Sequence, residues 1–572
     1  MRIPDVRIKF VDYSNLQVLT NTSILRELRN LLSFEVPGAR FQPRVRDGFW
    51  DGIIRLIDVN GVVGIGTLNY IVSWCKDMGY SCEVDPILTE RNNIKREEFD
   101  TWLSGLDIKA GGNSITPYWY QADSVFHGIK NKLALLNLPT SAGKSLIAGL
   151  LLRFFFDFIA KENETGLLIV PSTGLVSQML GDLLDYGLFE RDDILCIGGS
   201  FTTSVAKDIA TSYKISYVDG STETVKSDQK ILVDGKENVG KTFSRRKNLP
   251  ETVNGRQIKS IKKVVKHPRI IISTWQSAVS FKANVMDNVG MLINDEAHLA
   301  DGKSITKIIT LARNAEYKFG LSGSLKDAIA NEFQYLALFG PTFKPTSTKE
   351  LMDEGQVSNL KIRCVFIKYP ENVCKIAQKT KLKYHDEIKF ITAHEERNEI
   401  VSKLAGGLSK SDENVFLMFR NLAHGKMLYE RVKQLSEDDS KVFYIAGDVD
   451  GDVRDQIKKF TENNTGVIVI ASYGVFSTGI SVKNLHHIIF GHPVKSKITV
   501  LQSIGRVLRL HGSKDTATVW DIIDDMGVEP TRQLKSKKKY SWTNFGIAHG
   551  LERINRYIEE RFEYSINEVK LK

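Results

Sequence analysis

Cysteine is scarce in this 572-residue chain: there are five (Cys75, Cys82, Cys196, Cys364 and Cys374) and no C-x-x-C pair. That spacing indicates neither a zinc site nor a disulfide framework. Although 42% of the residues are hydrophobic, they never line up into the uninterrupted apolar run of about 18 that a membrane helix requires. The opening Met1-Arg-Ile-Pro-Asp-Val6 has no apolar core of the kind a secretion signal carries. A soluble protein of a reducing compartment is therefore expected, with its cores divided among about three or four domains at this length.

Acidic residues run short in two places. The formal charge is +10, and between Thr203 and Arg269 there are 15 Lys or Arg against 7 Asp or Glu. From Thr531 to Lys572 the balance is 10 against 5. A basic excess concentrated in this way favours a polyanionic partner over simple solubility. A solvated basic face is the alternative for either patch taken alone.

Apolar runs separated by helix-length stretches divide the chain. Residues 1–95 are expected to form a small α+β accessory, DNA-binding domain, followed by a linker at 96–117. In residues 118–345, apolar strands alternate with helices, which means a parallel sheet with helices on both faces. A basic segment at about 203–266 interrupts that pattern. Its Asp219-Gly220 and Asp234-Gly235 pairs are hairpin turn signals, so it is expected as an insertion on a surface loop. A second α/β lobe is expected over 346–530, and a basic helical segment over 531–572.

The chemistry starts at Leu133-Ala-Leu-Leu-Asn137, an apolar strand followed by Leu138-Pro-Thr-Ser141-Ala-Gly143-Lys144-Ser145 and an apolar helix-length run. Strand, small-residue loop and helix are what a phosphate cradle needs, because the helix must offer free amide groups and its positive end to phosphate. Gly143 lets the backbone approach, Lys144 reaches the β and γ groups, and the Ser145 hydroxyl meets magnesium. Leu138 occupies the first glycine position of the strict motif. Gly235, Gly240, Lys241 and Thr242 match that motif formally, but a polar basic run follows them and no amphipathic helix, so they are rejected.

A second apolar strand, Gly290-Met-Leu-Ile-Asn294, ends in Asp295-Glu296-Ala-His298. Acids delivered to the carboxyl end of a buried strand stand where open α/β sheets bind ligands. Asp295 is the candidate magnesium ligand and Glu296 the residue that orients the attacking water. The second lobe carries no phosphate cradle of its own. It carries Gln502, Gly505, Arg506 and Arg509, and arginines three apart share a helix face from which both could reach a transferring phosphate.

Other features carry less. Arg40, Arg44, Arg46 and Arg55 interleave with Phe41, Phe49 and Trp50, a composition suited to stacking on bases and gripping phosphate; core roles for Phe49 and Trp50 are the equal alternative. Asp448, Asp450 and Asp452 imitate a calcium loop, but Val453 and Lys459 stand where that loop needs glycine and glutamate, so a helix cap is expected. His486, His487 and His492 lack metal-ligand spacing and are expected to be structural.

In this order and spacing the motifs resemble those of superfamily 2 helicases over nearly all of residues 118–525. The resemblance implies two tandem RecA-like lobes, with ATP and Mg2+ as cofactors. It adds Gln121 against adenine, Ser141, Gly479 and Gln502 at the nucleotide, and Thr173, Thr274, Trp275 and Thr478 on the nucleic-acid backbone. Ser322-Gly323-Ser324 matches the segment that couples hydrolysis to movement. Runs at 40–56, 137–145, 471–485 and 501–512 are similar, more narrowly, to the recombination and repair helicases of T-even phages.

That likeness implies a monomeric 3'–5' DNA motor in the host cytoplasm. Its partners would be single-stranded or branched DNA and RNA–DNA hybrids, with Arg44, Arg46 and Trp50 engaging branched DNA. In that family the segment equivalent to the basic insertion is much shorter, so the insertion's role is not inherited. An extra DNA-contacting or pin-like element is expected there, against an incidental hairpin domain or a protein-docking site. The motor motifs do not separate DNA from RNA, so an RNA-remodelling ATPase is the alternative. The motor subunit of a restriction-type complex is a second alternative, although the flanking regions hold no P-D…(D/E)-x-K nuclease constellation.

Overall fold

Short runs of Leu, Ile and Val bounded by Gly, Pro and Asn form the strands of two parallel sheets, each of seven strands. The computed structural model describes residues 3–36, 38–198, 211–226, 229–239, 243, 250–265, 268–299, 303–323, 325, 329–447, 449–478, 482–528 and 542–572. Contacts group the chain into two units. The first holds 1–136, 145–321 and 327–343; the second holds 344–572 together with the short segments 137–144 and 322–326.

In the first unit, strands Ile194–Ile197, Ile270–Thr274, Thr165–Val170, Val289–Asp295 and Tyr317–Ser322 lie side by side in that order. Neighbours run parallel, with Val170 level with Thr274 and Asp295 level with Leu321. Their carboxyl ends therefore share one edge, where open α/β sheets take their ligands. Six of the seven residues of Val289–Asp295 are buried, which is why this strand reads as a continuous apolar run without alternation. Ile194–Ile197 and the two-residue strand Thr342–Phe343 add edges that the sequence pattern did not single out.

The amino-terminal domain is α+β: strands Val6–Asp12, Asn15–Thr20, Val62–Gly64 and Cys82–Val84 form one sheet against helices Thr22–Leu31 and Leu68–Met78. Asn15–Thr20 buries only Leu16 and Val18; two apolar anchors are too few to signal a strand by pattern alone. The domain docks backbone to backbone on helix Ile329–Phe339. A Cβ on Gly66 would fall 2.0 Å from the Leu336 carbonyl oxygen, and one on Gly64 would fall 2.4 Å from that of Ala337.

Between Ile197 and Ile270 stands the insertion, a six-stranded antiparallel sheet. It has its own core of Ile215, Tyr217, Val225, Ile231, Val233 and Val253. The Asp219-Gly220 and Asp234-Gly235 turns close its hairpins as expected.

In the second unit, strands Val442–Ile445, Ile468–Ser472, Val415–Phe419, His487–Phe490, Thr516–Asp525, Asn359–Lys368 and Tyr564–Lys570 form one parallel sheet in that order. Helix Phe545–Glu559 packs on it: buried Arg553 bonds Asp521, and Asn544 with the amides of Phe545 and Gly546 bonds Glu387. The basic turn at 535–539 lies outside the described residues.

Candidate nucleotide site and nucleic-acid surfaces

Strand Leu133–Asn137 hands over to helix Lys144–Phe158 through a loop in which Ser141 and Gly143 both take left-handed backbone, each at φ 73°. Left-handed backbone turns successive amides inward, the arrangement that cradles anions. The loop is tied by Leu138 N–H to the Ser322 carbonyl, 2.9 Å, and by Ala142 N–H to the Pro139 carbonyl, 3.1 Å. A Cβ at Gly323 would sit 3.0 Å from both Lys144 Nζ and Thr140 Oγ1. The missing side chain at 323 therefore leaves room beside the lysine. Left-handed glycine, half-buried ammonium and open neighbour are the donor set that a polyphosphate needs.

Helix Lys497–Val507 meets this loop within the same unit. Ser141 Oγ donates to the Gly505 carbonyl at 2.8 Å, and a Cβ at Gly505 would lie 2.1 Å from Thr140 Cβ. Arg506 follows Gly505 directly; its guanidinium sits 5.8 Å from the centre of the Phe476 ring. The helix ends at Val507, with Leu508 as its cap, so Arg509 stands beyond the helix and not on a shared face with Arg506. Arg509 is held through its backbone, its carbonyl accepting from Ser358 Oγ at 3.3 Å. Gln502 is on the same helix, half-buried; Thr478 ends helix Tyr473–Thr478, and Gly479 lies outside the described residues.

In the first unit, Ser145 Oγ is 2.9 Å from the Tyr186 hydroxyl. Sequence reasoning missed Tyr186: a lone tyrosine after helix Thr173–Asp185 gives no signal until the fold brings it to the loop. Asp295 ends its strand half-buried, and Glu296 follows in left-handed backbone at φ 52°. Such a conformation costs a non-glycine residue about 1–3 kcal/mol and persists only where surroundings enforce it. The enforcement is visible: Glu296 Oε2 lies 3.2 Å from His298 Nδ1, and the His298 carbonyl accepts from Tyr335 OH at 2.9 Å. Just before the acids, the side-chain amide of Asn294 is buried with no hydrogen-bond partner among the described residues. Gln121 is buried, its side-chain oxygen accepting from Tyr118 N–H at 2.9 Å, where it closes the first turn of helix Trp119–Asn131.

Thr173 opens a helix after Thr165–Val170, and Thr274 caps the helix begun by Trp275 after Ile270–Thr274. Because those strands are adjacent and in register, the three residues share the carboxyl edge. In the amino-terminal domain Arg44 and Arg46 are exposed, Phe41 and Phe49 are 71% and 80% exposed, and Arg40 lies over the Phe41 ring at 4.8 Å. Trp50 is half-buried, its indole N–H bonded to the Ile53 carbonyl at 3.0 Å. Phe49 is therefore no core residue, while Trp50 is held in place as part of this basic, aromatic knob.

Of the rejected motif, only Gly235 falls among the described residues. Gly235 sits at a hairpin tip between Lys230–Val233 and Lys236–Val239; Gly240, Lys241 and Thr242 lie outside the described residues. Asp450 caps helix Gly451–Asn463 as expected, accepting from Asp452 N–H at 2.8 Å. His486 accepts from Asn414 N–H, and His487 lies 2.6 Å from Glu413. Burial lowers the His492 pKa to about 4.

Three family models match: "DNA helicase UvsW, N-terminal" over residues 5–85, "Type III restriction enzyme, res subunit" over 113–327, and "Helicase conserved C-terminal domain" over 374–511. The ATP-dependent DNA helicase UvsW of Enterobacteria phage T4 is 42% identical over 570 residues, covering 99% of this chain and all of the relative. The crystal structure of T4 UvsW matches at 40% identity and a TM-score of 0.48, over 99% of this chain and all of that one. A putative ATP-dependent RNA helicase of Acanthamoeba polyphaga mimivirus is 23% identical, covering 64% of this chain and 66% of its own.

Proposed function

The chain belongs to the UvsW family of ATP-dependent DNA helicases, and on that premise we propose that it is a motor for branched DNA. Its work is fork regression, Holliday-junction migration and unwinding of R-loops or D-loops during phage recombination, repair and replication, by 3'–5' tracking. The observation that carries this reading is identity sustained from one end of the chain to the other, which includes the amino-terminal domain as well as the motor lobes.

In this mechanism the Gly143 backbone and the Lys144 ammonium take the phosphates of ATP, while Ser141, Gln121, Gly479 and Gln502 position the nucleotide. Ser145 and Asp295 would hold Mg2+, an oxygen-donor pair suited to that ion. Held there, the ion would supply positive charge against the phosphates of ATP. Glu296, kept in its unusual backbone by His298 and Tyr335, orients the attacking water and takes its proton. Arg506 and Arg509 stabilise the charge that develops on the transferring phosphoryl group. The proximity of Arg506 to the cradle, one residue from the Ser141–Gly505 hydrogen bond, supports that role. Thr173, Thr274, Trp275 and Thr478 contact the backbone of the tracked strand, and Arg44, Arg46 and Trp50 grip the branch.

The test is steady-state ATP hydrolysis with no nucleic acid, single-stranded DNA, duplex, a four-way junction and RNA. Stimulation greatest with the junction is expected. Stimulation by RNA alone would transfer the motor to RNA remodelling, and turnover indifferent to nucleic acid would remove the proposal.

A further inference from the structure

The insertion carries a basic surplus, and its register concentrates part of it on one face. Strand Thr211–Tyr217 lies between Thr222–Lys226 and Arg256–Val265. Its alternate residues Tyr213, Ile215 and Tyr217 turn into the core. The opposite face is made of two cross-strand rows: Thr224, Lys214 and Lys262, then Thr222, Ser216 and Ser260. Thr222, Thr224, Lys214 and Lys262 are exposed, and the two serines half-buried. A bulge opposite Ser216–Tyr217 leaves Lys259 out of register and exposed. Bulges re-aim side chains in this way.

Two features set this face apart from an ordinary solvated one. Lys214 and Lys262 stand directly opposite each other, a like-charge pairing that weakens a sheet unless something compensates. Two other cations of the insertion have acids: Lys230 with Glu237 at 3.1 Å, and Arg256 with Glu223 at 3.4 Å. Among the described residues, none pairs with Lys214, Lys259 or Lys262.

We infer that this face of the insertion, Lys214, Lys259 and Lys262 among the hydroxyls of Thr222, Thr224, Ser216 and Ser260, binds the phosphate backbone of duplex DNA. Ammonium groups and short hydroxyls are the donors that position proteins on phosphates without reading bases. Binding of single strands draws on aromatic platforms, and Tyr213 and Tyr217 are committed to the core. The face therefore suits a duplex arm while the motor tracks a strand elsewhere.

The experiment compares the full-length protein with a Lys214→Gln/Lys262→Gln variant and with a Lys230→Gln/Lys236→Gln control that removes equal charge from the far hairpin. Affinity is measured across a salt titration for a blunt duplex and for oligo-dT, and oligo-dT-stimulated ATP hydrolysis reports the motor separately. The face variant is expected to lose about 1.8 from the slope of log affinity against log salt on the duplex, 0.9 for each phosphate contact removed. Its oligo-dT affinity and ATP hydrolysis should match wild type, and the control should keep the wild-type duplex slope. An unchanged duplex slope in the face variant overturns the inference in favour of a protein partner or an idle sheet. An equal loss on oligo-dT, or in the control, overturns the assignment to a duplex on this face. A wild type whose hydrolysis ignores DNA would count against the motor, leaving the duplex measurement to stand by itself.

Discussion

Lys318 donates to the Tyr13 carbonyl at 2.7 Å, and to the Ser14 hydroxyl at 2.6 Å, from the start of motor strand Tyr317–Ser322. Ser14 Oγ bonds onward to the Ile309 and Ala312 carbonyls, at 3.1 and 3.3 Å, so the first hairpin of the amino-terminal domain is fastened to the sheet that ends in Ser322. Lys318 is fully buried. Burial lowers its pKa to about 7, with Asp12 opposing the shift.

Stability should therefore depend on pH through this lysine. In the unfolded chain Lys318 titrates near 10.5, and in the folded protein near 7. Between those values the unfolded state holds a proton that the folded state has released, so stability rises with pH across the window and is flat below it. The slope is about 1.4 kcal/mol per pH unit for one such group. Lys514, lowered to about 7 by burial, acts in the same direction, so the comparison must be between variants. Lys318→Met should lose one lysine's worth of this slope in urea midpoints taken from pH 7 to 10. A variant curve parallel to wild type would show that Lys318 is not the titrating group.

The approach of Gly505 to the phosphate loop predicts a sharp effect from one methyl group. Gly505→Ala places its Cβ 2.1 Å from Thr140 Cβ, so the helix must move and carry Arg506 with it. Hydrolysis should fall by at least ~10²-fold, toward the ~10³–10⁵ expected for removing a charge-stabilising arginine. Arg506→Ala should match it, with nucleotide affinity within a few-fold of wild type. Normal turnover in both would take this helix out of the reaction.

The two candidate lysines separate cleanly. Lys144→Ala should retain DNA binding and lose ATP hydrolysis if the ammonium beside Gly323 takes the β and γ phosphates as proposed. Lys241→Ala should leave hydrolysis intact, since the glycine that begins its motif is at a hairpin tip. Loss of hydrolysis in Lys241→Ala would reverse the choice of phosphate loop.

What the sequence made legible follows from its periodicities. Buried parallel strands such as Leu133–Asn137 and Val289–Asp295 are continuous apolar runs that lead to the candidate phosphate loop and the candidate acids, so both candidates could be placed on the fold beforehand. Strand Tyr564–Lys570 buries none of its residues fully and has no such run; it exists because it pairs with Ile362–Lys368, a partner about 200 residues away. Tyr186, Lys318 and the Gly64–Gly66 contact were hidden for the same reason. Each is meaningful only through a neighbour distant in sequence. Spacing alone also put Arg506 and Arg509 on one helix face, whereas the helix stops between them.

The carboxyl-terminal helix supplies a test of how the second lobe is held together. Asp521, fully buried, accepts from Arg553 Nε and Nη2 and from Tyr557 OH at 2.9 Å; Arg553 Nη1 also donates to the Val494 carbonyl at 2.6 Å. Removing the arginine leaves a carboxylate in the core without its counter-charge, a loss of about 3–5 kcal/mol. Replacing both charges avoids that penalty, because the desolvation cost of the ion pair disappears along with its attraction. Arg553→Met should thus be far less stable than Asp521→Asn/Arg553→Met, although the double variant has lost more of the native interactions. Urea unfolding of both variants checks the order. If the double variant is the weaker, Asp521 contributes more through the bond it accepts from the Tyr557 hydroxyl than its uncompensated charge costs.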